Sequence, residues 1–321
     1  MPLVADATTG AAVDPPVDLD LSIDPAELAR NWQAADMPAA PRSFRQQAQH
    51  RLRRNRTAMF AAAVLLALVL SAIAAPLLSS YDPVIGEATD RLLPIGSPGH
   101  LLGTDELGRD MLSRLLHGGR LSLITGLAPV LAATFIGTLV GAGAAYVGGR
   151  VESVAMRIMD MLYAFPAVLL AIAIGASLGQ GLANVIISLT VIYIAPIARV
   201  AQSATRSVKL SEYIEAARLT GASTFTIIRT QVLKNIVSPI FVYASGLVGL
   251  SIVIASSLSF LGLGVAPPDP EWGYMLNSLR GSIYVQPWVA ALPGLFIFIT
   301  SIAFNMLADG IRDAFDVKET E

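Results

Sequence analysis

Residues 211–235 read SEYIEAARLTGASTFTIIRTQVLKN, the longest polar interruption in the second half of the chain. Residues 161–198 before it carry no charged side chain, and none occurs from Asn235 to Pro268 after it. Glu212, Glu215, Arg218, Arg229 and Lys234 therefore mark a water-facing element caught between stretches suited to an apolar phase. Ser211 is placed to cap a helix, and Glu212 and Glu215 in the first turn suit the positive end of its dipole. Ala216 and Ala217 favour helix with little side-chain bulk. Gly221 is a natural stop, because only glycine enters the left-handed C′ conformation without strain. Ser223 can cap a second helix in which Phe225, Ile228 and Val232 recur at helical spacing. Taken alone, an ordinary amphipathic helix–turn–helix loop fits this pattern too.

Working outward, the composition fits a membrane chain: 54% of the 321 residues are hydrophobic and 14% charged, too apolar for a soluble protein of this length. A net charge of −2 gives no reason to expect a nucleic-acid partner. With no cysteine there is neither disulfide nor thiol chemistry. Uncharged runs long enough to cross a bilayer as helices predict six spans, at about 58–78, 121–147, 160–178, 184–200, 237–260 and 288–308. The expected class is an all-α membrane protein. Its expected divisions are a disordered acidic tail with a basic juxtamembrane segment (1–56), a first span with an outer loop and amphipathic helix (57–120), a five-span core (121–311) and a C-terminal tail (312–321). With the N-terminus inside, 17 Lys and Arg fall on the inner side and 5 on the outer, which places 211–235 in the cytoplasm.

Leu101–Leu123, LLGTDELGRDMLSRLLHGGRLSL, reads as an amphipathic helix capped by Thr104 or Asp105, with Asp110 and Arg114 paired at i,i+4 and Leu107, Met111 and Leu115 on one face. Its acidic spacing fits no calcium loop. Ala133, Gly137, Gly141 and Ala145 recur every four residues, a groove for a helix of this chain or of a partner. Gly175-Ala-Ser177-Leu-Gly179 matches a nucleophile pattern that needs a strand–turn–helix, yet here it ends an apolar helix. Three histidines support no metal motif, and Lys209, Lys234 and Lys318 are followed by Leu, Asn and Glu, so no P-loop exists. Nothing here reads as catalytic or metal-binding, and no cofactor is expected in this chain.

Glu215-Ala216-Ala217, three residues, Gly221, then Val232-Leu233 and Asn235 closely resemble the EAA loop of ATP-binding-cassette (ABC) importer permeases, the loop that docks on the ATPase. Gln231 and Lys234 depart from it, where such loops often carry His and Pro. Leu101–Leu123, Ala145–Ile172, Phe260–Asn277 and Pro293–Asp316 are similar to the C-type subunit of dipeptide and oligopeptide permeases, in the same order. The resemblance implies a type I importer architecture in the bacterial or archaeal cytoplasmic membrane. It implies a homologous second permease, two cytoplasmic ATPase domains holding ATP and magnesium, an extracytoplasmic solute-binding protein and surrounding lipid. Glu215, Ala216, Ala217 and Gly221 would then couple to the ATPase.

Two further expectations are open. The stiff outer loop Pro267–Gly273 offers Asp269, Glu271 and Trp272 to a binding protein, although Trp272 fits an interfacial aromatic belt equally well. A peptide crossing spans with hardly any fixed charge would meet Asn184, Ser188, Thr190, Tyr193, Ser256 and Ser257. Dipeptides, longer peptides, glutathione and nickel complexes all remain candidate cargoes. An ion- or proton-coupled secondary transporter is the rival class, though such proteins usually bury ionisable relays in their spans.

Overall fold

In hydrocarbon every backbone N–H and C=O must be paired within its own segment, so apolar runs of this kind become helices. A computed structural model describes residues 44–315, and among these the regular elements are all helical. Expectations for residues 1–43 and 316–321, the acidic tail included, lie outside the described residues. Helix α1 (Phe44–Arg54) carries Arg51, Arg53 and Arg54 in its last turn. Asn55 starts α2 (Arg56–Ile73) by accepting the Ala58 N–H at 3.1 Å. Then follow α3 (Met111–Val147), α4 (Gly149–Tyr163), α5 (Ala167–Leu178) and α6 (Leu182–Lys209). The last four are α7 (Glu212–Leu219), α8 (Thr224–Phe260), α9 (Trp272–Ser278) and α10 (Pro287–Phe315).

Among the described residues α2, α3, α6, α8 and α10 are long and apolar enough to cross a membrane. The sixth expected span, 160–178, is not one straight helix: α4 and α5 meet at 88°. Pro166, which begins α5, lacks an N–H and disfavours helical backbone at Phe165, so the chain turns there. The described residues thus hold five such helices, or six spans when the bent pair is counted as one. Most helices also outrun their apolar cores; α6 continues to Lys209, because charge ends an apolar run without ending a helix.

The small-residue stripe on α3 is an internal seam. A Cβ on Gly137 would stand 2.9 Å from the Ile194 carbonyl, and one on Gly141 would run into the Ala198 carbonyl, so α6 lies in the groove. Across the bundle, Ser301 of α10 donates to the Gly249 carbonyl of α8 at 3.0 Å. Leu189, Ile197, Ile236, Ile252 and Leu258 fill the centre. Arg120 caps the end of α2, donating to the Ala72 and Ile73 carbonyls at 2.6 and 2.8 Å.

The helix expected from residue 101 starts only at Met111. Gly103 and Gly108 adopt positive φ, and the Asp105 carboxylate binds the Leu107 and Arg109 N–H groups and the Arg109 Nε at 2.6 Å. Loop geometry therefore consumes Asp105, and Asp110 caps α3 by accepting the Ser113 N–H at 2.7 Å. Arg114 pairs with Asp105 at 3.2 Å instead of Asp110, and Leu107 is exposed.

Candidate functional site

Helix α7 follows α6 at one end of the bundle. Ser211 has the extended backbone of a capping residue, but its Oγ donates back to Ser207 and makes no cap. At the other end Gly221 takes φ +80°, its N–H reaching the Arg218 carbonyl at 3.0 Å and the Ala222 N–H reaching Ala217 at 3.1 Å. These two bonds are a Schellman closure, which requires the left-handed residue that glycine supplies. Ser223 then caps α8, accepting the Thr226 N–H at 3.2 Å.

Ile214 and Ile227 pin this turn to the core, while Glu215, Ala216 and Gly221 are exposed and Ala217 half-buried. The expected Phe225/Ile228/Val232 face does not form: Phe225 is 71% exposed, whereas Val232 is buried. A π-helical turn at Ile228–Val232 displaces the two from a common face. Leu219 and Phe225 thus stand out from the turn as exposed apolar side chains.

Long-range polar contacts root the element. Lys209 Nζ donates to the last carbonyls of α3, Tyr146 at 2.7 Å and Ala145 at 3.3 Å. Glu152 of α4 accepts from Arg206 Nε at 2.6 Å and Gln202 Nε2 at 2.7 Å. Asn235 donates to the Tyr213 hydroxyl at 3.1 Å, tying α8 to α7. None of these contacts was expected, since partners up to 64 residues apart leave no local pattern.

The opposite end holds the residues expected to meet a binding protein, and two of them are misplaced for it. Glu271 and Trp272 are 0% and 1% exposed; Asp269 alone is exposed. Glu271 caps α9, accepting from the Gly273 and Tyr274 N–H groups at 3.0 and 2.9 Å and from Ser122 Oγ at 3.1 Å. Burial pushes its carboxyl up, and the hydrogen bonds offset this only in part. Trp272 donates its indole N–H to the Leu115 carbonyl at 2.9 Å, lodged beside Gly119 where a Cβ would come within 3.1 Å of the ring. Its ring is thus packed in the core of the chain and not presented at the surface.

A family model described as the binding-protein-dependent transport system inner membrane component matches residues 133–320. A second, the N-terminal TM domain of oligopeptide transport permease C, matches residues 43–94. The chain is 45% identical over 268 residues to the glutathione transport system permease protein GsiD of Pectobacterium atrosepticum, covering 84% of this chain and 89% of that protein. GsiD of Escherichia coli O157:H7 and of Shigella sonnei match at the same identity, over 84% of this chain and 88% of theirs. The chain belongs to the inner-membrane permeases of ABC importers. It is of the peptide-permease type and a multi-pass inner-membrane protein.

In this permease several of the residues expected along a substrate path are engaged within their own helices or turns. Asn184 holds the turn between α5 and α6, its amide donating to the Leu178 and Gly179 carbonyls at 2.9 and 3.1 Å. Ser188, Thr190 and Ser257 donate back into their own helices. Tyr193 and Ser256 are buried, and Ser257 is exposed.

Proposed function

We propose that this permease is one of two homologous translocating subunits of an ATP-driven importer for small peptides, glutathione among them. The observation that carries the reading is the α7 turn, a short helix closed by a positive-φ glycine and presenting Glu215, Ala216, Leu219 and Phe225 from the end of the bundle. Apolar side chains exposed outside the spans mark a surface for a partner protein. Its proposed partner is the ATPase pair, which binds ATP and magnesium and rocks the spans through α7 as a rigid body. The N-terminus and α7 are then cytoplasmic, and a solute-binding protein delivers cargo from the other side, where Asp269 remains exposed. The divisions at residues 56, 120 and 311 serve as functional boundaries in this scheme. The glutathione reading is supported by the named activity of the GsiD relatives.

The test is Gly221→Val, which forces a branched residue into φ +80° at about 1–2 kcal/mol or more. ATP-dependent uptake and co-purification of the ATPases should both fall while the chain still inserts. Full uptake and full ATPase recovery in Glu215→Arg/Gly221→Val would refute the coupling role.

A further inference from the structure

The α7-bearing half of the bundle is hollowed along one side. A cavity of about 530 Å³ is lined by Val200, Pro239, Tyr243, Gly246, Asp309 and Arg312, from α6, α8 and α10. A second, of about 200 Å³, is lined by Asp160 and Tyr163 of α4 and Pro196 and Arg199 of α6. Val200 and Tyr243 border both, so the two form one groove. The larger part alone is within the size range of small-ligand sites.

Its lining is richer in charge than the apolar runs it adjoins. Arg199 is ion-paired with Asp160, and both are about half exposed. Among the described residues Asp309 and Arg312 have no ion-pair partner, and the Tyr163 and Tyr243 hydroxyls make no hydrogen bond. Asp160 and Arg199 stand at the ends of the apolar runs and Asp309 and Arg312 just beyond one, so charges of both signs gather at the α7-side mouth of the spans. Pro196 and Pro239 withhold the helical hydrogen bond from the Ile192 and Asn235 carbonyls, a defect tolerated at membrane depth where backbone lines a cavity.

We propose that this groove is a binding site for zwitterionic peptides on their way through the permease. Arg199 and Arg312 receive carboxylates; Asp160 and Asp309 receive the ammonium group. The assignment rests on the peptide-importer reading and adds to it where the cargo is held. The four charges cancel, so a zwitterion exchanges the Asp160–Arg199 pair for two new pairs. A simple anion taking Arg199 would strand Asp160, and one taking Arg312 would leave the two carboxylates of the groove unused; a zwitterion engages both signs.

The experiment uses the complete transporter in proteoliposomes, with labelled dialanine and S-methylglutathione as probes of ATP-driven uptake. Arg199→Gln and Arg312→Gln should each raise the KM for an accepted probe by about tenfold, the usual scale for one charge-assisted hydrogen bond. The exchange Asp160→Arg/Arg199→Asp keeps an ion pair but reverses its polarity, and uptake should stay low. An added Cβ at Gly246 meets open space, and the chain has no other cysteine, so Gly246→Cys can report occupancy. Dialanine should slow its modification by a maleimide.

Recovery of uptake in the exchange variant would make the pair purely structural and overturn the assignment. So would loss of the sister permease from the Arg312→Gln complex, which would make the groove an assembly surface. Unchanged KM in both single variants, with the wild type transporting, overturns the assignment and leaves the importer reading standing. Failure of the wild type to accumulate either probe overturns the peptide reading and this site with it.

Discussion

Glu271 is a single carboxyl with no solvent exposure, surrounded by hydrogen-bond donors from α9 and α3. Because its folded-state pKa is raised, the folded chain holds this proton more tightly than the unfolded chain does. Its contribution is present in full below the ordinary carboxylate range and is lost as pH rises toward the folded value. In Glu271→Gln one oxygen becomes a donor and opposes the Tyr274 or Gly273 N–H. The wild type should therefore melt higher than Glu271→Gln near pH 4.5, with the gap narrowing toward neutral pH. A gap that widens would show the ionised form to be the favoured one. At this scale Gly221 was legible, since its role depends on backbone preference alone. Glu271 and Trp272 were not, because their partners Ser122 and Leu115 lie 149 and 157 residues away.

At the scale of elements, the α3–α6 seam offers a paired test within one helix. Gly141→Leu would drive a side chain into the α6 backbone at Ala198, whereas a Cβ on Gly143 meets open space. The first should cost about 1–3 kcal/mol or more and lower the yield of assembled transporter. Gly143→Leu should be tolerated, as read by the amount and melting temperature of purified complex. Equal behaviour of the two would mean that the seam is not a close contact. The four-residue spacing announced this groove without saying what fills it, because small residues suit any approaching helix. Pro166 marks in the sequence where the chain turns; the size of the turn, 88°, goes with how α4 and α5 each pack on α6, which no local pattern encodes.

For the whole molecule, the asymmetry of basic residues predicts sidedness that labelling can check. The chain is free of cysteine, so Arg54→Cys, Leu210→Cys and Leu101→Cys can be tested one at a time. All three positions are exposed. In intact cells an impermeant maleimide should label residue 101 alone; labelling at 54 or 210 would reverse the orientation. Span count and helical class were legible because hydrocarbon leaves the backbone so few options. Side-chain surroundings were less so: hydroxyls at Ser188, Thr190 and Ser257 bond within their own helices, and the groove lined by Asp160, Arg199, Asp309 and Arg312 joins α4, α6, α8 and α10, remote from one another in the chain.

The π-helical turn at Ile228–Val232 carries one residue more than an α-helical path between the same two ends would need. Each α-helical residue advances the chain by about 100° around the axis. Were the same residues wound as uninterrupted α-helix, the extra one would swing Phe225 and the α7 turn by roughly that angle about α8; the wider turn absorbs it. The compass bearing at which this permease presents its proposed partner-facing surface thus depends on one wide turn, quite apart from the chemistry of the residues that do the touching.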